Sequence, residues 1–124
     1  KRVKGAMADI PFLCHFRRSI EIGNGTPYEE FSHFFKIFDQ EHKLEDEIHK
    51  VLSYFDNVNL ASRISCPVMV TVGLCDNVCP PSTIFAAYNK IESEKQIFVF
   101  PDFGHGGFNE HDAHKINFIK RVRN

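Results

Sequence analysis

Tryptophan is absent from this chain, and only 2 methionines occur. Nowhere do apolar residues run for the ~18–20 positions that a membrane-spanning helix needs. The first nine residues are basic and then mildly apolar, without the h-region of ~7–15 apolar residues that marks a signal peptide. Charge of one sign is also missing. Lys plus Arg total 15 against 16 Asp plus Glu, a formal net charge of −1, so nothing electrostatic favours nucleic acid or an anionic membrane as a partner. No internal repeat and no low-complexity segment is present, and the first residue is Lys1 rather than methionine.

What is present is ordinary for a folded domain: 43% hydrophobic and 25% charged residues over 124 positions. That composition excludes a disordered tail, and a chain of this length buries roughly 65–70% of its unfolded surface. A single domain spanning residues 1–124 is expected. The aromatic content is weighted towards phenylalanine, with 13 Phe against 3 Tyr. The four cysteines, Cys14, Cys66, Cys75 and Cys79, each sit in or beside an apolar run and read as buried, reduced thiols of a cytoplasmic protein. Zinc is the sharper alternative, since Cys75 and Cys79 are close and Cys14 neighbours His15. No second Cys/His pair follows at finger-like spacing, and no metal site is expected.

The hydrophobic pattern alternates between strand and helix. Val3 to Ala8 reads as a buried strand running into Asp9-Ile10-Pro11. Gly23-Asn24-Gly25-Thr26-Pro27 is a turn cluster, with Thr26 placed to cap the following helix and Pro27 at its first position. Tyr28, Phe31, Phe34, Phe35 and Phe38 then recur at helical spacing and account for much of the Phe weighting as a packing stripe. A second helix, about Leu44 to Phe55, presents Leu44, Ile48, Val51, Leu52 and Phe55; the two form a helical pair at about 27–56. Val68-Met69-Val70-Thr71-Val72-Gly73 is β-branched and uncharged, the pattern of a strand buried on both faces of a parallel sheet. Pro80-Pro81 opens a helix with Ala86, Ala87, Tyr88 and Ile91 inward, and Ser82 reads as its cap. Gln96 to Phe100 is a third strand. A last helix, about Asn109 to Arg123, is expected to bury Ile116, Ile119 and Val122. The order βααβαβα implies an α/β fold with a parallel sheet of about three strands and right-handed crossovers.

In such sheets function sits at the carboxyl ends of the strands. The second strand ends at Gly73-Leu74-Cys75-Asp76, and the third at Pro101-Asp102-Phe103-Gly104-His105-Gly106-Gly107. An Asp and a His thus stand at the tips of consecutive strands, and the glycines around His105 allow the tight turns that aim one imidazole at a neighbouring loop. An Asp that accepts a hydrogen bond from a His ring fixes its tautomer and stabilises the imidazolium formed in acyl transfer. Read singly, Asp76 is equally a capping carboxylate and His105 a solvated turn residue. His42 with His49, and His111 with His114, lack a partner carboxylate at convincing spacing and read as surface histidines.

Three stretches closely resemble the acetyl xylan esterase / cephalosporin-C deacetylase family: Tyr54-Phe55-Asp56-Asn57-Val58-Asn59-Leu60-Ala61, Pro67 to Asp76, and Cys79-Pro80-Pro81-Ser82-Thr83-Ile84-Phe85-Ala86-Ala87-Tyr88-Asn89. Ala8 to Arg18 resembles the segment just beyond the family's nucleophile region. The resemblance implies a carbohydrate esterase of the α/β-hydrolase fold, with Asp76 as the triad acid and His105 as the base, and Pro11 and Phe12 bordering the acyl pocket. It implies a small acetylated sugar or other acetyl ester as substrate, no cofactor, and a cytoplasmic homo-oligomer. Two departures stand out. Gly106 follows His105 where the family has Glu, which bears on the loop geometry. The Gly-x-Ser-x-Gly elbow is missing, because none of Ser19, Ser32, Ser53, Ser62, Ser65, Ser82 or Ser93 has glycines two positions to either side. The chain is therefore expected to be the C-terminal portion of such an esterase, lacking the nucleophile and inactive alone. The alternative is an inactive esterase-like module that binds or assembles with other chains. A Cys nucleophile, as in dienelactone hydrolases, needs glycines on both sides; Cys75 has Gly73 before it but Asn77 after it.

Overall fold

A computed structural model of the chain describes residues 3–23 and 26–123; Asn24 and Gly25 of the expected turn cluster lie outside the described residues. Three strands, β1 (Ala6–Asp9), β2 (Val68–Gly73) and β3 (Lys95–Phe100), form one parallel sheet in the order β1-β2-β3. Around it lie α1 (Phe16–Ile22), α2 (Glu29–Phe38), α3 (Glu45–Leu52), α4 (Asn57–Leu60), α5 (Pro81–Lys90) and α6 (His111–Arg123), with a 3₁₀ turn at Ala61–Arg63.

β2 is central, and all six of its residues are buried, as its uncharged, β-branched run predicts. Strand residues alternate between faces. Val68, Val70 and Val72 pack with Ala61, Ile84 and Ile91 beneath α4 and α5. On the opposite face Thr71 is in register with Phe98 and Asp9. That face receives α6, through His114 stacked on Phe98 at 3.8 Å between ring centroids. The result is a helix–sheet–helix sandwich. The C-terminal end of α5 is met by a lysine at the start of β3: Lys95 Nζ donates to the carbonyl of the capping residue Ile91 at 2.7 Å and to Tyr88 O at 3.0 Å.

Several sequence expectations are corrected. The helix α1 was not anticipated, because its seven residues, FRRSIEI, bury only Phe16 and Ser19 and carry no long apolar period. β1 is not buried: its residues alternate in exposure and Met7 is 41% exposed, since among the described residues no strand pairs its outer edge. The Phe stripe is only partly core. Tyr28 and Phe35 are buried, whereas Phe34 and Phe38 are exposed, as are Leu44, Val51 and Phe55 on and beside α3. α3 is also shorter than expected and ends at Leu52. In α6, Phe118 is buried while Ile116 and Ile119 face outward. The helix presents His111, His114, Lys115 and Phe118 to the sheet, a stripe that purely apolar counting misses because three of the four are polar. Ser82 caps nothing: Pro80 stands at the cap position of α5, and it is Thr83 whose hydroxyl donates to Pro80 O at 2.7 Å. Thr26 acts one turn before α2 begins, its hydroxyl accepting from the Tyr28 N–H at 3.3 Å.

The four thiols are free, but only Cys14 and Cys79 are buried; Cys66 is half-buried and Cys75 exposed. Burial pushes the Cys14 thiol up to about 11, despite a hydrogen bond from Asn57 that works the other way. Burial pushes Cys79 up to about 12, with the negative charge of Asp76 adding to it. Both stay protonated at neutral pH, so a thiol-specific disulfide reagent is expected to titrate Cys75 first and Cys66 more slowly, reaching Cys14 and Cys79 only after unfolding. The linkage runs towards alkali. Both folded values lie above the unfolded thiol value of 9.0, so this contribution is complete below pH 9.0 and is lost as pH rises towards about 11–12. Urea unfolding at pH 8 and pH 10.5 is expected to show the lower midpoint at pH 10.5.

Candidate active site at the strand tips

Asp76 sits in the turn that follows β2. Its Oδ1 accepts the backbone N–H of Val78 at 2.8 Å and of Cys79 at 2.9 Å, an Asx-type turn that fixes the carboxylate and leads the chain into Pro80-Pro81. The second oxygen, Oδ2, faces His105 Nδ1 at 3.0 Å. The Asp76 side chain is fully buried, whereas the His105 side chain is 49% exposed. One edge of the imidazole is therefore held by a desolvated carboxylate, with the rest of the ring open to solvent. With Nδ1 donating to Asp76, Nε2 is left as a free acceptor, the protonation state required of a general base.

Glycines make this approach possible. A Cβ on Gly73 would stand 2.5 Å from the Phe103 carbonyl oxygen and closer still to that of Gly104. The β3 loop can thus cross the end of β2 only because position 73 has no side chain. Cys75 N–H donates to Phe103 O at 3.0 Å across the same crossing. Beyond His105 the chain turns through Gly106 at φ 112° and Gly107 at φ 83°, conformations that L side chains rarely adopt. The sequence places Asp and His together, and the structure brings them into hydrogen-bond contact.

Pro11 and Phe12 follow β1 at the carboxyl end of the same parallel sheet. Pro11 lines an apolar cavity of about 260 Å³ between the sheet and α5, whose walls include Ala8, Cys14, Val70 and Ile84 but neither Asp76 nor His105. Phe12 packs on Tyr28 at 4.9 Å between centroids and is partly exposed.

The loop carrying them is strained and clamped. Ile10, Leu13 and His15 all have positive φ, between 46° and 55°. Asp56, buried at 8% exposure, accepts the N–H of His15 and of Phe16, both at 2.8 Å, and of Val58 at 2.9 Å. One carboxylate thus starts both α1 and α4 and pins the loop after β1. Nothing in local sequence signals a contact between residues 40 positions apart.

A second Asp–His pair joins β1 to α6. Asp9, at the end of β1, contacts His111 Nε2 at 2.6 Å through Oδ1 and Lys115 Nζ at 2.6 Å through Oδ2. This ties the first turns of α6, and hence the end of the His105 loop, to the sheet. His111 is therefore not a surface histidine, its side chain being 13% exposed, and neither is His49, at 12%, beside Glu45. His111 gains its partner only through the fold, whereas Glu45 stands one turn before His49 on the helix that the sequence predicts.

The acetyl xylan esterase (AXE1) family matches residues 1–122 of the chain. The chain belongs to the acetyl xylan esterase family. Among curated family relatives, the acetyl esterase Axe7A of Xylanibacter ruminicola is 30% identical over 120 residues, which is 97% of this chain and 26% of that protein. Of the solved acetyl xylan esterases, that of Paenibacillus sp. R4 superposes with a TM-score of 0.92 at 44% identity, covering 97% of this chain and 38% of that one. Acetyl xylan esterase 1 of Thermoanaerobacterium sp. JW/SL YS485 gives 0.91 at 38% identity, with 98% and 39% covered. The chain thus spans well under half the length of these family members. Its three parallel strands and flanking helices are those of the α/β-hydrolase fold.

Proposed function

We propose that this chain supplies the acid and the base, Asp76 and His105, of a serine esterase that removes acetyl groups from acetylated xylo-oligosaccharides or related small acetyl esters. It corresponds in this reading to the C-terminal portion of the esterase. The observation that carries the proposal is the contact of 3.0 Å between the buried Asp76 Oδ2 and the half-exposed His105 Nδ1. Family membership supports the substrate class, since the relatives are an acetyl esterase and acetyl xylan esterases.

The chemistry follows from the geometry. A serine hydroxyl from outside this chain would attack the ester carbonyl while His105 Nε2 takes its proton. The collapsing tetrahedral intermediate would receive that proton on the departing sugar alkoxide, leaving an acetyl-enzyme. Water, deprotonated by the same nitrogen, would then release acetate and restore the serine. Asp76 would hold the ring orientation and stabilise the imidazolium in each half-reaction. Pro11 and Phe12 would border the acyl pocket, and the same reading extends to cephalosporin-C-type acetyl esters. Four free cysteines support a reducing, cytoplasmic setting, and the apolar side chains bare on α2 and α3 support a homo-oligomer.

A chimera tests this. The segment of the Paenibacillus sp. R4 esterase that superposes on this chain is replaced by the chain itself, leaving that enzyme's remaining part in place. Hydrolysis of p-nitrophenyl acetate and release of acetate from acetylated xylo-oligosaccharide are expected from the chimera and not from the 124-residue chain alone. A chimera that folds but does not turn over, or an isolated chain whose turnover His105→Ala abolishes, would sink the reading. The first outcome would favour a binding or assembly module.

A further inference from the structure

Next to Asp76 and His105 lies a third group that the proposed hydrolysis does not use. Asp76, Cys79 and His105 each offer one ligand atom, and these atoms all lie within 4.8 Å of one another. We propose that Asp76, Cys79 and His105 form a binding site for a borderline-soft divalent cation of the zinc class.

Three features of the fold argue for it. The first is local: because Asp76 Oδ1 accepts the Cys79 N–H at 2.9 Å, the Asp-x-x-Cys turn holds the backbone of the buried Cys79 beside the carboxylate before any metal arrives. The Val78 N–H on the same oxygen, at 2.8 Å, completes the kind of outer hydrogen bonding that orients a ligating carboxylate and leaves Oδ2 for the metal. Access is the second. Cys79 and Asp76 are buried at 2% and 4% exposure, whereas His105 is exposed and sits on a loop that turns through two positive-φ glycines. His105 is therefore the donor at the solvent face, and an ion would reach the two buried donors past its imidazole. Distance is the third. Tetrahedral zinc, with bonds of about 2.0–2.3 Å, sets ligand atoms about 3.3–3.6 Å apart, so closing the present spread takes roughly 1 Å of movement.

The donor set selects the ion. One sulfur, one imidazole nitrogen and one carboxylate oxygen suit zinc or cobalt and disfavour magnesium and calcium, which take oxygen ligands. On binding, the Cys79 thiol loses its proton to solvent and forms the metal–sulfur bond. The Nδ1–H···Asp76 bond breaks, the ring proton resides on Nε2, and Nδ1 and Oδ2 bind the metal. The fourth position stays open to water. Charge and protons balance with no redox change.

The binding claim stands on this geometry alone. Only its consequence rests on the proposed function: with the proton on Nε2, His105 can no longer accept one from a serine, so the ion would inhibit.

Cobalt(II) titrated into the whole chain reads the site directly. A 1:1 thiolate-to-cobalt charge-transfer band with the visible absorption of a four-coordinate ion is expected, displaced by zinc and unaffected by magnesium. Cys79→Ser is expected to abolish the band. Because Cys79 is buried, His105→Ala serves as a second variant on the exposed side, and is expected to weaken binding by more than ~10-fold, the least that loss of even an outer-shell partner costs. Cys75→Ser and His49→Ala are expected to change nothing. Absence of a band, a band that survives Cys79→Ser, or cobalt affinity unchanged in His105→Ala would overturn the proposal. None of these readouts uses ester hydrolysis, so failure here leaves the esterase reading untouched, and an inactive chimera leaves the cation site untouched.

Discussion

Asp76→Asn in the chimeric esterase is expected to lower kcat by about 10³–10⁴-fold with little change in KM, the cost of losing the orienting carboxylate from a Ser-His-Asp arrangement. The structure specifies why the isosteric amide fails. Oδ1 already accepts two backbone N–H groups, from Val78 and Cys79, and only an oxygen can do so. The Asn oxygen is therefore held on that side, and its NH₂ must face His105 Nδ1, 3.0 Å away. Two donors cannot share that contact, so Nδ1 becomes the acceptor and the ring proton moves to Nε2. The base is then blocked by its own proton. Kinetics on p-nitrophenyl acetate check this, together with thermal unfolding, which is expected to shift little because the turn keeps its two hydrogen bonds. A loss of kcat below ~10-fold, less than general acid–base catalysis contributes, would show that Asp76 is only a turn residue.

The largest stability effect is expected at a residue with no part in the chemistry. Asp56→Ala removes the acceptor of three backbone N–H groups, of His15, Phe16 and Val58, at the starts of α1 and α4. Hydrogen bonds to a charged acceptor are each worth about 1.5–3 kcal/mol, and buried donors left unpaired add their own cost. The clamp also holds a loop with positive φ at Ile10, Leu13 and His15, a conformation costing roughly 1–2 kcal/mol per residue that releases when the clamp is gone. A loss of about 2–4 kcal/mol in urea unfolding is expected, within the upper range for single substitutions. Asp56→Asn, which keeps one oxygen acceptor, is expected to lose less. Amide hydrogen exchange should localise the change to 15–22 and 56–60; a uniform change over the sheet would argue against a clamp.

The two residues differ in how they can be read from a sequence. The position of Asp76 at a strand tip, where parallel sheets put function, is legible because both its strand and that of His105 announce themselves by uninterrupted apolar runs. Asp56 lies in a stretch that resembles the esterase family, yet its partners are 41 and 40 residues earlier, and no periodicity encodes a side chain reaching across the fold to two N–H groups. The same holds for Asp9 and His111, 102 residues apart. In α6 the error was one of face: Ile116 and Ile119 look like core by composition, but the sheet surface they would meet is occupied through Phe98 and Asp9, which select His114, His111 and Lys115 instead.

Sequence alone determined the parallel α/β sheet and put Asp76 and His105 at the tips of two of its strands, because both follow from local chemistry: β-branched runs, turn glycines and strand polarity; the central place of β2 and the contact between the two side chains belong to the tertiary structure. Tertiary structure alone decided which apolar residues stay bare. Burial needs a partner surface, and among the described residues β1 has no neighbour on its outer edge. The scarcity of methionine and the absence of tryptophan bear on none of this. The missing Gly-x-Ser-x-Gly bears on the proposed function, since reading Asp76 and His105 as orienting acid and base leaves the nucleophile to come from outside these 124 residues.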